Sequence, residues 1–138
     1  MPYAQVTPEI AVAPQLSPDD IAQLATDGFR TVICHRPDGE GGPDQPSFQS
    51  IAAACAASGI YVHHQPVSSS GLSPDDVTHL RDILLGCAKP ALLYCRSGTR
   101  SIVLWALSQR GAVDNATLLA ACSDAGYDLP VLHHLLAD

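Results

Sequence analysis

Apolar residues recur along this chain with two different spacings, and the places where one gives way to the other mark its elements. Short apolar runs predict a first strand at Ile10 to Ala13 (IAVA) and buried strands at Arg30 to Cys34 (RTVIC) and Leu92 to Tyr94, and Ile60 to His64, which alternates less cleanly, also reads as a strand. Pro8 and Pro14 bracket the first run and suit a sheet edge. Helical spacing fills the intervals. In LSPDDIAQLATDG, Ser17 is the N-cap, Pro18 the first helical residue, Asp19 and Asp20 the acidic first turn and Gly28 the stop, with Ile21, Leu24 and Ala25 on one face. A second, alanine-rich helix runs from Ser47 to Ser58. Ser73 repeats the Ser-Pro-Asp-Asp cap and starts a third at Pro74 to Gly86, where Val77, Leu80, Ile83 and Leu84 form the apolar stripe. Past the last strand, SIVLWALSQR is a helix from Ser101 to the stop at Gly111, and two more helical segments follow with no further strand.

This order predicts an α/β fold, a single domain with a mostly parallel sheet of four to five strands flanked by helices. Right-handed crossovers bring the loops that follow the strands to one edge of the sheet, where ligands collect. Three loops meet there: Cys95 to Arg100, Arg36 to Glu40, and Gln65 to Ser73.

The first of these carries the chemistry. In ALLYCRSGTRS a buried strand ends on Cys95 and turns through Gly98 into a helix, so the backbone N–H groups from Arg96 to Arg100 converge at a helix N-terminus. Unpaired N–H groups and the helix dipole favour an anion and lower the pKa of a thiol. Cys95 is the candidate nucleophile, with Arg100 as a planar fork for the oxygens of an anion. Arg96 raises the potential at the mouth, Ser97, Gly98 and Thr99 shape the turn, and the Ser101 hydroxyl is placed to bond the sulfur or cap the helix. A lone cysteine after a strand is most often a buried apolar residue. Two arginines, a glycine and two hydroxyl residues within six positions weigh against that here. Arg36, Asp38 and Glu40, riding off the end of another strand, are expected to hold the Cys95 loop in place. Cys34 is a weaker candidate for a resolving thiol.

Composition narrows the partners. A net charge of −7 with seven Lys and Arg argues against nucleic acid or an acidic membrane surface, and makes the pair Arg96 and Arg100 a local exception suited to a small anion. Five cysteines without a CxxC pair fit a reducing compartment. Scattered cysteines and histidines, including His133 and His134, lack metal-ligand spacing, so no metal or other cofactor is expected. With no basic n-region or long apolar core at its start, the chain is expected to be cytoplasmic.

The layout, a strand-borne cysteine loop followed by helices alone, resembles the dual-specificity protein tyrosine phosphatases, whose loop is cysteine, five residues, arginine. The shorter Cys95-Arg96-Ser97-Gly98-Thr99-Arg100 instead resembles the C-R-x-G-x-[R/T] loop of rhodanese-type sulfurtransferases. Together with GFRTVICHRPDGE, Gln45-Pro46, YVHHQPV, LSPDDV and the late GYDL, it is similar to the family of the beta-lactamase hydrolase-like protein, phosphatase-like domain. The resemblance implies a protein tyrosine phosphatase-like fold and sulfur or phosphate chemistry at Cys95, and it suggests a thiol acceptor or a persulfide dioxygenase as partner. In the phosphatases an aspartate on the loop after the preceding strand protonates the leaving oxygen. Here that loop reads PVSSSGLS, and its nearest carboxylates are Asp75 and Asp76, already committed to a helix cap. Sulfur transfer from thiosulfate or a persulfide is therefore the first expectation. Phosphatase activity is the second, with Asp75 or Asp76 as a poor acid, and a non-catalytic anion-binding or persulfide-carrying module is the third.

Overall fold

Four-residue strands dominated by apolar side chains can be buried on both faces only if helices cover both faces, and the computed structural model, which describes residues 3–137, has that arrangement. The elements are β1 (Ala4–Thr7), β2 (Ile10–Ala13), α1 (Pro18–Thr26), β3 (Thr31–Cys34), α2 (Phe48–Ser58), β4 (Tyr61–His64), α3 (Pro74–Gly86), β5 (Ala91–Tyr94), α4 (Thr99–Ser108), α5 (Asn115–Asp124) and α6 (Pro130–Leu135). The sheet runs β1-β2-β5-β3-β4, parallel throughout except for β1, which pairs antiparallel with β2.

Two expectations change. Ile10–Ala13 is an interior strand, between β1 and β5, and its residues are all buried. Pro8 and Pro14 lie just outside it, so neither removes a ladder hydrogen bond. The edge belongs to β1, whose half-polar AQVT carries no run of apolar residues to announce it. The cysteine-loop helix also begins at Thr99, two residues before Ser101, because Gly98 takes the N-cap position.

Alternation along the strands divides the core. Ala11, Ala13, Val32, Cys34, Leu92 and Tyr94 face α1 and α2, while Ile10, Val12, Ile33, Ala91 and Leu93 face the layer of α3 to α6. Both Ser-Pro-Asp-Asp segments cap as expected: Asp20 accepts from the Ser17 amide at 2.9 Å and Asp76 from the Ser73 amide at 2.9 Å. The register aligns Ala13 with Tyr94 and Tyr94 with Cys34, so β2, β5 and β3 end together and their following residues, Cys95 among them, share one edge. Among the described residues no helix is long and apolar enough to cross a membrane.

Candidate active site

Cys95 is fully buried at the end of β5, and its sulfur accepts the Gly98 N–H at 3.1 Å. The loop can close this tightly because Gly98 sits at φ +90°, a left-handed conformation that a side chain would strain. Around that turn the Ser97 hydroxyl donates to Thr99 Oγ1 at 3.0 Å, tying the two side chains to each other across the loop. Neighbouring elements fix the backbone from outside. The Cys95 amide donates to Ala13 O at 3.4 Å, the Gln15 amide to Arg96 O at 3.2 Å, and the Tyr127 hydroxyl to Ser97 O at 3.0 Å. The Arg96 side chain is exposed.

Arg100 differs from the open fork expected of it. Its Nη1 and Nη2 donate to the two oxygens of Glu40 at 2.8 and 2.7 Å, and Nη1 also reaches Val67 O at 2.9 Å. The Glu40 hydrogen bonds, against the opposing push of burial and with the charge of the nearby Cys95 adding to them, raise the Arg100 pKa above its ordinary value. Glu40 is thus a direct partner of Arg100. Arg36, itself 7% exposed, donates to Glu40 at 3.0 Å and to Gln15 Oε1 at 3.1 Å, linking Arg100 to the strap that holds Arg96. Gly41 lies so close that a Cβ there would come within 2.5 Å of Arg36 Nη2. Hydrogen bonds from Arg100 and, against the opposing push of burial, from Arg36 hold the Glu40 carboxyl below the usual carboxylate range.

Asp38 and Ser101 stand elsewhere than expected. Asp38 accepts the Phe48 amide at 2.7 Å and so caps α2, leaving Arg36 and Glu40 to brace the cradle. Ser101 is inside the first turn of α4, and its buried Oγ has no hydrogen-bond partner among the described residues; it neither bonds the Cys95 sulfur nor caps the helix. Asp76 is occupied by its cap and Asp75 is exposed. Cys34 is a buried free thiol whose Sγ points to Arg36 O at 3.4 Å, and burial raises its pKa, which does not suit a resolving thiol. His133 pairs with Asp128 at 2.8 Å, and no cluster of three or more His, Cys, Asp or Glu among the described residues could hold a metal.

Four residues not among the candidates also stand around the site: Gln15, and Val67, Tyr127 and His35, which fall only within segments that carry the family resemblance. His35 follows β3 with its ring Nδ1 3.2 Å from Gln65 O, which makes Nδ1 the donor and leaves Nε2 a buried acceptor with no partner among the described residues. Burial, with Arg100 adding to it against the pull of the Gln65 carbonyl, lowers its pKa from 6.5 to about 4.

Since unfolded His35 binds a proton at a higher pH than folded His35, acidification through the window from 6.5 to about 4 favours unfolding. Urea titrations at pH 7 and pH 4.5 should show wild type losing on the order of 2 to 3 kcal/mol more than His35→Asn, whose amide can still donate to Gln65 O. Glu40→Gln keeps an acceptor but strands two guanidiniums. It is expected to cost about 1 kcal/mol at neutral pH, because Glu40 lies at the surface. Because the folded-state Glu40 pKa is depressed, the wild-type advantage should be full above the unfolded carboxylate value and fade as pH falls through the folded one.

The comparisons with known proteins agree with this architecture. The family model described as beta-lactamase hydrolase-like protein, phosphatase-like domain, matches residues 3–112. The beta-lactamase hydrolase-like protein of Xylella fastidiosa (strain Temecula1) is 29% identical over 109 residues, which cover 79% of this chain and 25% of that protein. The chain thus spans about a quarter of the length of that curated relative. Among solved structures, a "putative phosphatase" of Neisseria meningitidis superposes with a TM-score of 0.87 at 31% identity, covering 99% of this chain and 97% of the other. Tk-PTP in its active form gives a TM-score of 0.70 at 17% identity over 97% of this chain and 95% of that one, a likeness of fold alone. The fold is protein tyrosine phosphatase-like, as expected. The description of the family model and the Neisseria structure favour the phosphatase expectation over sulfur transfer.

Proposed function

Since the chain belongs to the family of the beta-lactamase hydrolase-like protein, phosphatase-like domain, we propose that Cys95 is the nucleophile of a group-transfer enzyme built on a phosphatase-like frame, and that the group it takes is a sulfane sulfur. One observation carries the choice of group. The carboxylate that reaches the cradle, Glu40, is held as an anion by three hydrogen bonds of 2.7 to 3.0 Å from Arg100 and Arg36. An anion so held is a poor proton donor, and cleaving an alkyl phosphate through a cysteine needs an acid at the leaving oxygen. Sulfite leaves thiosulfate as a stable anion and needs none.

In the proposed cycle Cys95 Sγ attacks the outer sulfur of thiosulfate. The new S–S bond forms as the old one breaks, and sulfite departs with the electron pair. Cyanide or an acceptor thiol then attacks the outer sulfur of the Cys95 persulfide and carries it away, returning the thiolate. The amides of Arg96 to Arg100 and the Arg100 guanidinium orient the incoming anion. Arg36 and Glu40 are positioning residues that hold Arg100.

The second reading is hydrolysis of a small or aryl phosphoester through a Cys95 phosphoenzyme. The fold and the 31% identical Neisseria protein described as a "putative phosphatase" support it. The two are separated by assaying one preparation for thiocyanate from thiosulfate and cyanide, and for hydrolysis of p-nitrophenyl phosphate, whose phenolate leaves without an acid. Sulfur transfer predicts thiocyanate from wild type and none from Cys95→Ser. Cys95-dependent phosphate release without thiocyanate makes the protein a phosphatase, and sulfur uptake without turnover makes it a carrier module.

A further inference from the structure

At the end of the sheet opposite Cys95, a cleft of about 370 Å³ lies between the start of β2, the last turns of α3 and α4, and the segment leading into β5. Its volume is in the range of small-molecule sites. Ile10, Leu84, Leu85, Trp105 and Val113 supply apolar walls, and Arg81, Lys89 and Arg110 also line it. These are three of the seven Lys and Arg in a chain of net charge −7. Such a concentration runs against the overall charge, and Glu9 is the one carboxylate among the lining residues.

The three cations are tethered by carbonyls. Arg81 Nε donates to Ser108 O at 3.0 Å, Arg110 Nη1 to Leu135 O at 3.3 Å, and Lys89 Nζ to the carbonyls of Leu84 and Cys87. Ion pairs among the described residues involve Arg36, Arg100 and His133, so no described carboxylate lies within ion-pair distance of the three cations at the cleft. A guanidinium has five donors, and a single hydrogen bond to a carbonyl leaves most of them for another acceptor. Positive charge beside an apolar wall matches a molecule with an anionic head and an apolar body.

We propose that the cleft formed by Ile10, Leu84, Trp105 and Val113 with Arg81, Lys89 and Arg110 binds a small amphipathic anion, a carboxylate or sulfonate on an aliphatic or aromatic body. The site is independent of the Cys95 chemistry, sharing no residue with the cysteine loop.

Trp105 is the chain's single tryptophan, so its fluorescence reports on this cleft. Titration of the full chain with octanoate should give a saturable change in emission, while octanol, equal in length but uncharged, should bind at least about tenfold more weakly. The exposed double variant Arg81→Gln/Arg110→Gln should weaken octanoate about tenfold or more and leave octanol unchanged. An emission change that never saturates, equal binding of octanol, or unaltered octanoate affinity in a folded double variant would each overturn the proposal.

Discussion

Cys95→Ser is expected to abolish thiocyanate formation, with a loss of at least about three orders of magnitude against wild type. Serine fills the same space, so the buried position beside Gly98 is retained and the fold should survive with a change of about 1 kcal/mol or less. What disappears is the chemistry. A hydroxyl in this cradle has no adjacent base among the contacts of the site and cannot store sulfur as a persulfide. The measurement is steady-state thiocyanate production beside a thermal melt. A variant that melts like wild type and retains more than about a hundredth of the rate would place the nucleophile elsewhere.

Gly98→Ala is the second large effect. A Cβ at this position would collide with the Tyr127 hydroxyl oxygen and lie 3.0 Å from the carbon bearing it, and the residue sits at φ +90°. Both demands push in one direction: the turn must open, and the Gly98 N–H moves off the Cys95 sulfur. A displacement of about 1 Å at a reacting group can cost about a hundredfold in rate, and the strained backbone about 1 to 3 kcal/mol in stability. Tyr127→Phe introduced into the Gly98→Ala protein removes the oxygen that clashes most, so part of the lost rate should return. The recovery stays partial because the backbone strain and the 3.0 Å contact remain. Tyr127→Phe alone forfeits the hydrogen bond to Ser97 O, about 1 kcal/mol. No recovery in the double variant would mean that backbone conformation alone accounts for the glycine.

Much of this arrangement is written locally. The Ser-Pro-Asp-Asp caps, the apolar runs of β2, β3 and β5, and the passage from strand through Gly98 to helix depend on residues a few positions apart, where sequence spacing and spatial spacing coincide. The edge strand β1 was not legible, since Ala4–Thr7 becomes a strand by pairing with β2 and has no pattern of its own. The bracing of Arg100 by Glu40 spans 60 positions, and nothing in either neighbourhood announces which of Arg36, Asp38 and Glu40 reaches across. Asp38 turned to an amide ten residues on, at the start of α2, and Glu40 took the guanidiniums. Tyr127 shows the same limit. Its segment GYDL contributed to a family resemblance, yet its contact with the cysteine loop exists only after α5 has folded back against the α4 side of the sheet.

The phosphatase-like frame and the chemistry proposed within it are separable claims, because a helix N-terminus and an arginine welcome sulfur anions and phosphate alike. What distinguishes them is whether the buried thiol keeps a sulfur atom. Intact-mass spectrometry after incubation with thiosulfate measures this directly. Wild type should gain the mass of one sulfur, lose it on addition of cyanide, and Cys95→Ser should gain none. An unchanged wild-type mass, or a sulfur adduct that persists in Cys95→Ser, would contradict the account.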